Sequence, residues 1–216
     1  MTARSDLLLA VADELLQHHP RGRVAVAIDG IDARRTTRFA DELAIVIASS
    51  GRPVVRASHE GFHRPPAERY ARGEDSAIGY YRDSFDEERL RAELVEPFRL
   101  GDAFVTSIGT APTDGTAPTD GIGGSAAGPA APDTVLLVDG VFLLRPELRG
   151  LWNAAARLDV RPEVLLAESD ESDAARERHA GGHAIYEREA SPRRAAGIVI
   201  DDSDPLQPLR LFVDYC

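Results

Sequence analysis

The sequence predicts a parallel α/β sheet with helices on both faces. Three observations carry that reading. Short apolar runs without alternation occur at 23–29, 53–57, 134–140, 156–160 and 198–201, the pattern of strands covered on both sides. Stretches with helical spacing lie between them. The strict alternation of the two favours crossover connections and so parallel pairing.

The elements follow in order. A helix is expected over 5–17, with Ser5 as N-cap and Leu8, Val11 and Leu15 on one stripe. The run Arg23-Val24-Ala25-Val26-Ala27-Ile28-Asp29 is the first strand, and Gly30 turns the chain into a helix over 39–49. The second strand covers 53–57. A charged helix over 85–98 places Leu90, Leu94 and Phe98 on one face. Residues 101–133 change character, being rich in Gly, Ala, Pro, Thr and Ser, with Ala-Pro-Thr-Asp-Gly at 111–115 and again at 117–121. This segment reads as a flexible insertion without a core of its own. The third strand, a short helix over 146–153, a strand over 156–160, a mainly helical stretch over 162–189 and a last strand over 198–201 complete the count at five. One domain over 1–216 suits the length of 216 residues.

Composition excludes several function classes. Apolar residues make up 43% and charged residues 28%, and no apolar run approaches the roughly 20 residues of a membrane span. A net charge of −11 argues against a nucleic-acid or anionic-membrane surface. The one cysteine, Cys216, excludes an internal disulfide framework, so a cytoplasmic location is expected. The chain has no lysine; all 25 basic residues are arginine. Chemistry that needs an ammonium group is therefore excluded.

The first strand runs into Asp29-Gly30-Ile31-Asp32-Ala33-Arg34-Arg35-Thr36-Thr37. A strand, a tight turn and a helix N-terminus make an anion site, because free N–H groups and the helix dipole face the ligand. Against the phosphate-loop pattern Gly-x-x-x-x-Gly-Lys-Ser/Thr, Gly30 and Thr37 fall on the first and last positions. Arg35 stands where the second glycine belongs and Thr36 where the lysine belongs.

Other segments extend the match. Asp29-Gly30-Ile31-Asp32 with Phe39-Ala40-Asp41-Glu42-Leu43-Ala44, Ala57-Ser58-His59-Glu60-Gly61-Phe62-His63, Gly79-Tyr80-Tyr81-Arg82-Asp83-Ser84-Phe85-Asp86, and the stretch from Leu137 to Leu148 together resemble bacterial uridine kinase-like proteins. So does the tail from Tyr186 through Ser191-Pro192-Arg193 to Ile200-Asp201-Asp202. The resemblance implies a three-layer P-loop kinase fold with a five-stranded parallel sheet and a helical lid near 170–186. It further implies ATP- and Mg²⁺-dependent phosphorylation of a hydroxyl on a nucleoside-like molecule. Glu60 then matches the general base, where the relatives carry aspartate, and Asp139 the acidic residue near metal and acceptor. Gly30, Asp32, Ala33, Arg34, Arg35, Thr36 and Thr37 match the nucleotide loop, with Thr37 and Asp139 on magnesium. Arg176 and Arg178 match lid arginines. His63, Tyr80, Tyr81, Arg82 and Asp86 match the acceptor pocket. A homodimer is compatible with this reading.

Two other readings compete. His59-Glu60-Gly61-Phe62-His63 spells the His-Glu-x-x-His zinc-peptidase pattern. That site needs a helix, and here a strand precedes it, Gly61 interrupts it and Pro65-Pro66 follow. The altered phosphate loop also favours an impaired kinase-like protein that binds a nucleotide or a partner, with 101–133 as the contact.

Overall fold

The computed structural model describes residues 2–106 and 125–212. Its helices and strands run α1 (Ala3–His18), β1 (Val24–Gly30), α2 (Ala33–Ser49), β2 (Val54–Ser58), a 3-10 turn (His59–Phe62), α3 (Pro66–Arg69), α4 (Ala77–Asp83) and α5 (Glu87–Arg89). A π turn (Leu90–Val95) leads into α6 (Glu96–Leu100), then β3 (Phe104–Thr106), β4 (Ser125–Ala127), β5 (Val135–Gly140) and β6 (Ala154–Asp159). α7 (Pro162–Glu168), α8 (Asp173–Ala190), α9 (Pro192–Ala195), β7 (Ile198–Asp201) and β8 (Leu209–Leu211) follow.

The main sheet has six strands in the order β2-β5-β1-β6-β7-β8. The first five are parallel, as the sequence predicts, and β8 pairs antiparallel with β7. The sixth strand corrects the expected count. The edge strand Leu209-Arg210-Leu211 is short and carries no local signal; its pairing with β7 and the Arg210–Glu14 ion pair hold it.

Side-chain size sorts the two faces of the sheet. Val24, Val26 and Ile28 of β1, with Val135 and Leu137 of β5, pack under Leu8, Val11 and Leu15 of α1 and Phe39, Leu43 and Ile47 of α2. The opposite face of β1 offers apolar side chains only at Ala25 and Ala27, and there the large rings of Phe62, Tyr81, Phe85, Phe98, Phe142 and Tyr186 gather. Small residues on the strand leave depth for the rings, which keeps packing dense.

Several boundaries move. Thr2, not Ser5, caps α1, its hydroxyl accepting from the Ser5 amide. α2 begins at Ala33, six residues before the expected start, because Asp32 caps it. The 85–98 helix starts after Asp86, which accepts from the Arg89 amide, and is interrupted by the π turn. The 146–153 helix shrinks to a 3-10 turn at Pro146–Leu148.

The 101–133 segment is anchored at both ends. Phe104 is buried edge-on against Phe98, β3 pairs with β4, and Arg23 donates twice to the Ala130 carbonyl. Its Ala-Pro-Thr-Asp-Gly repeats lie outside the described residues, as does Cys216. Among the described residues no helix is long and apolar enough to cross a membrane.

Candidate functional site at the carboxyl ends of the strands

β1 and β5 are neighbours and both end in Asp-Gly, so Asp29 and Asp139 arrive at the same edge of the sheet. Chain order reverses around β1, with β5 on one side and β6 on the other. Crevices in open α/β sheets form at such points.

Asp29 is a structural anchor. It is fully buried, 2.6 Å from Arg157 Nη1, and accepts from the Leu143 amide and the Tyr186 hydroxyl. Tyr186 in turn accepts from the Leu144 amide. This network ties α8 to the segment after β5, where Phe142 sits at φ 63 among five aromatic or histidine rings.

Asp139 is also buried and has three partners. Thr37 Oγ1 donates to it at 2.6 Å, Ser58 Oγ at 3.2 Å, and the Arg56 guanidinium sits 2.7 Å away. The Thr37–Asp139 pair joins the two residues expected on magnesium. Arg56 escaped the sequence reading, although a charged residue inside the apolar run 53–57 was its signal.

The first turn of α2 closes on itself. The Asp32 carboxylate accepts from the Arg34 amide at 2.8 Å and the Arg35 amide at 3.4 Å. Only Ile31 and Asp32 separate the strand from the helix. Gly30 is required there, since a Cβ would lie 2.5 Å from Thr36 Cγ2. Thr36 is buried, its hydroxyl donating to the Ala33 carbonyl. The Arg35 guanidinium turns to Asp202 and Glu168. Arg34 is largely exposed, with Nε 3.8 Å from Asp32.

Glu60 sits on the 3-10 turn after β2. Burial, then the nearby Asp139 charge, raise its carboxyl to about 7, and Arg69 opposes the shift. His59 and His63 both stack nearly parallel on Phe85, at 3.9 and 4.4 Å, and so hold opposite faces of one phenyl ring. Burial lowers His59 to about 3 and His63 to about 4, keeping both neutral. A phenyl ring between the imidazoles, and a 3-10 turn in place of a helix, remove the zinc-peptidase reading. Among the described residues no three His, Cys, Asp or Glu side chains are grouped to hold a metal ion.

α8 forms the opposite wall, in the place expected of the lid. Gly181 and Gly182 allow the approach, since a Cβ would come within 2.6 Å of Ala77 and 2.5 Å of Tyr80. The contact lays His179 and Arg178 over the Tyr80 ring, at 4.5 and 4.9 Å. Burial and Glu60 raise the Tyr80 hydroxyl well above the usual phenol range.

Three expected residues stand elsewhere. Tyr81 is buried in the core beneath Arg145. Arg82 pairs with Glu147 and Glu189 outside the cleft. Arg176 is held by Asp173 and the Glu171 carbonyl at the start of α8. Helical phase explains the split, because adjacent positions point about 100° apart. Asp86 has one carboxylate oxygen engaged as a helix cap.

No protein-family model matches the chain, and no curated protein does. Solved structures do match. A structure described as a possible uridine kinase from Bacillus stearothermophilus is 20% identical, with a TM-score of 0.70, covering 90% of this chain and 97% of that one. A protein of Silicibacter sp. TM1040, provisionally assigned as a fructose transport system kinase, is 21% identical with a TM-score of 0.58, over 86% and 94% of the two chains. D-glycerate 3-kinase from Cryptococcus neoformans is 9% identical with a TM-score of 0.54, over 95% and 99%. The fold is that of a P-loop kinase.

By the resemblance given above, the start of α2 is expected to be the donor end of the site and the Glu60 turn its acceptor end. The donor end does not fit a nucleotide polyphosphate as it stands. Asp32 already occupies two of the amides that a phosphate would use, and the chain supplies no lysine. A divalent cation at Asp139 would have to displace the Arg56 guanidinium. At the expected acceptor end Glu60 feels the Arg69 charge, His63 those of Arg69 and Arg178, and Tyr80 those of Glu60 and Arg178.

Proposed function

We propose that this chain is a catalytically impaired relative of small-molecule kinases that binds a hydroxyl-bearing ligand at the Glu60 cleft. The Asp32 carboxylate seated on the first-turn amides of α2 carries the reading. A carboxylate there satisfies donors that a phosphoryl group needs and repels the incoming negative charge. Glu60 holds the ligand hydroxyl, Tyr80 walls the space, and His63 donates or accepts as a neutral imidazole.

Calorimetric titration with Mg-ATP should give no binding at 1 mM, a concentration order typical of cellular substrates (about 1 mM). A transfer assay over a panel of nucleosides and sugars should give no product above background. The variant Arg35→Gly with Thr36→Lys should gain at least about tenfold in Mg-ATP affinity. Glycine disfavours the first turn of α2 by about 1 kcal/mol, and lysine supplies the missing ammonium. Tight ATP binding by the unaltered chain would overturn the proposal.

One observation favours a second reading, slow phosphoryl transfer. A Glu60 carboxyl near 7 suits a general base at neutral pH. In that case turnover, however slow, rises as pH passes 7 and disappears in Glu60→Gln.

A further inference from the structure

Two guanidinium groups at the acceptor end lack counter-ions. Arg69 ends α3 and Arg178 lies in the second turn of α8. Both are part-buried, and the Nε of each is buried without a hydrogen-bond partner. Neither forms an ion pair with a described residue, although acidic side chains outnumber basic ones by 36 to 25. The other buried or part-buried arginines around the cleft are engaged: Arg35 by Glu168, Arg56 by Asp139 and Arg157 by Asp29.

Geometry brings the pair together. Their guanidinium carbons lie 5.3 and 5.2 Å from the centre of the same Tyr70 ring, and Arg178 also covers Tyr80 at 4.9 Å. Both depress the protonation of His63, and Arg69 acts on Glu60, so both charges are felt at one space. Glu60 does not cancel them, because its carboxyl is half-protonated near pH 7. Aromatic support fixes each fork at little entropic cost. Planar guanidinium forks match the paired oxygens of phosphate and carboxylate.

We propose that Arg69 and Arg178 together form an anion clamp, and that the hydroxyl-bearing ligand of the Glu60 cleft carries a phosphate or carboxylate group. This rests on the acceptor-end reading given above. It makes a neutral nucleoside the poorer ligand. It also assigns Arg178 to the ligand rather than to a nucleotide donor, and adds Arg69, which the sequence pattern did not single out.

The test is calorimetry on the full chain with matched probes: ribose 5-phosphate, ribonate, ribose and uridine. At least one anion should bind about tenfold more tightly than ribose, the margin expected of a charge-assisted hydrogen bond. The stronger of the two anions names the group. The margin should shrink about tenfold in Arg69→Gln and in Arg178→Gln, should persist in Arg38→Gln, and should weaken with added salt in the unaltered chain. Circular dichroism verifies that each variant is folded, and the salt series needs no variant at all. Equal binding of ribose, uridine and the anions overturns the clamp while leaving the acceptor-end reading standing. An anion preference that survives in the Arg69→Gln, Arg178→Gln double variant also overturns the clamp. No binding by any probe overturns both.

Discussion

The donor and acceptor ends of one cleft have been treated oppositely. At the donor end four polar groups have partners within the chain: Asp32 on the α2 amides, Thr36 on Ala33, Arg35 on Asp202 and Glu168, Arg56 on Asp139. At the acceptor end polar groups stand without partners, as with the Nε atoms of Arg69 and Arg178. A fold satisfies its buried polar groups wherever function does not prevent it. Partners at one end and unpartnered guanidinium nitrogens at the other are what the proposed closed and open ends rest on.

The largest effect is expected from breaking the closed end. Asp139→Ala removes the buried charge partner of the mostly buried Arg56 guanidinium, leaves it only the exposed Asp41, and should cost about 3 kcal/mol of stability. Denaturant titration measures it, and a loss within error would show that the pair is slack. Asp32→Ala removes the cap of α2 and should cost about 1 kcal/mol, read as a lowered denaturation midpoint. An unchanged midpoint would mean that the amides find other acceptors and that the donor end is not sealed.

The smallest effect sharpens the comparison by pH. His59, His63 and His183 are held neutral by burial, at about 3, 4 and 3. The unfolded chain takes up protons on them from about pH 6.5 downward, so acidification from 6.5 to 4 should destabilise the fold. Glu60 acts in the opposite direction. Its folded value of about 7 lies above the usual 4.5, so its ionisation penalises the fold as pH rises between those values. In Glu60→Gln that opposing contribution is gone. The loss of stability on acidification from pH 7 to 4.5 should then be steeper than in the unaltered chain. Parallel curves would show that Glu60 titrates as an exposed carboxyl, and would remove its claim to a special role.

Much of the frame was legible locally. Apolar runs such as Val24-Ala25-Val26-Ala27-Ile28 and Val135-Leu136-Leu137-Val138 state a strand buried on both faces. Their spacing around helices states parallel order. The edge strand at Leu209–Leu211 was not legible, because three residues hold no periodicity and its only reason to be extended is β7. The site was half legible. Glu60, Asp139, Thr37, His63 and Tyr80 converge at one end of the sheet, but Tyr81, Arg82 and Arg176 turn elsewhere. Arg69 carried no pattern at all.

The sequence by itself determined the strand and helix alternation, the missing ammonium group and the substitution of Arg35 and Thr36 into the phosphate loop. These are properties of composition and of neighbours along the chain. Only the tertiary structure decided that Arg56 neutralises Asp139, and that Arg69 and Arg178 lie against one Tyr70 ring. Each of those depends on groups that find one another across more than 80 positions of sequence. Periodicity does not encode that distance; packing does.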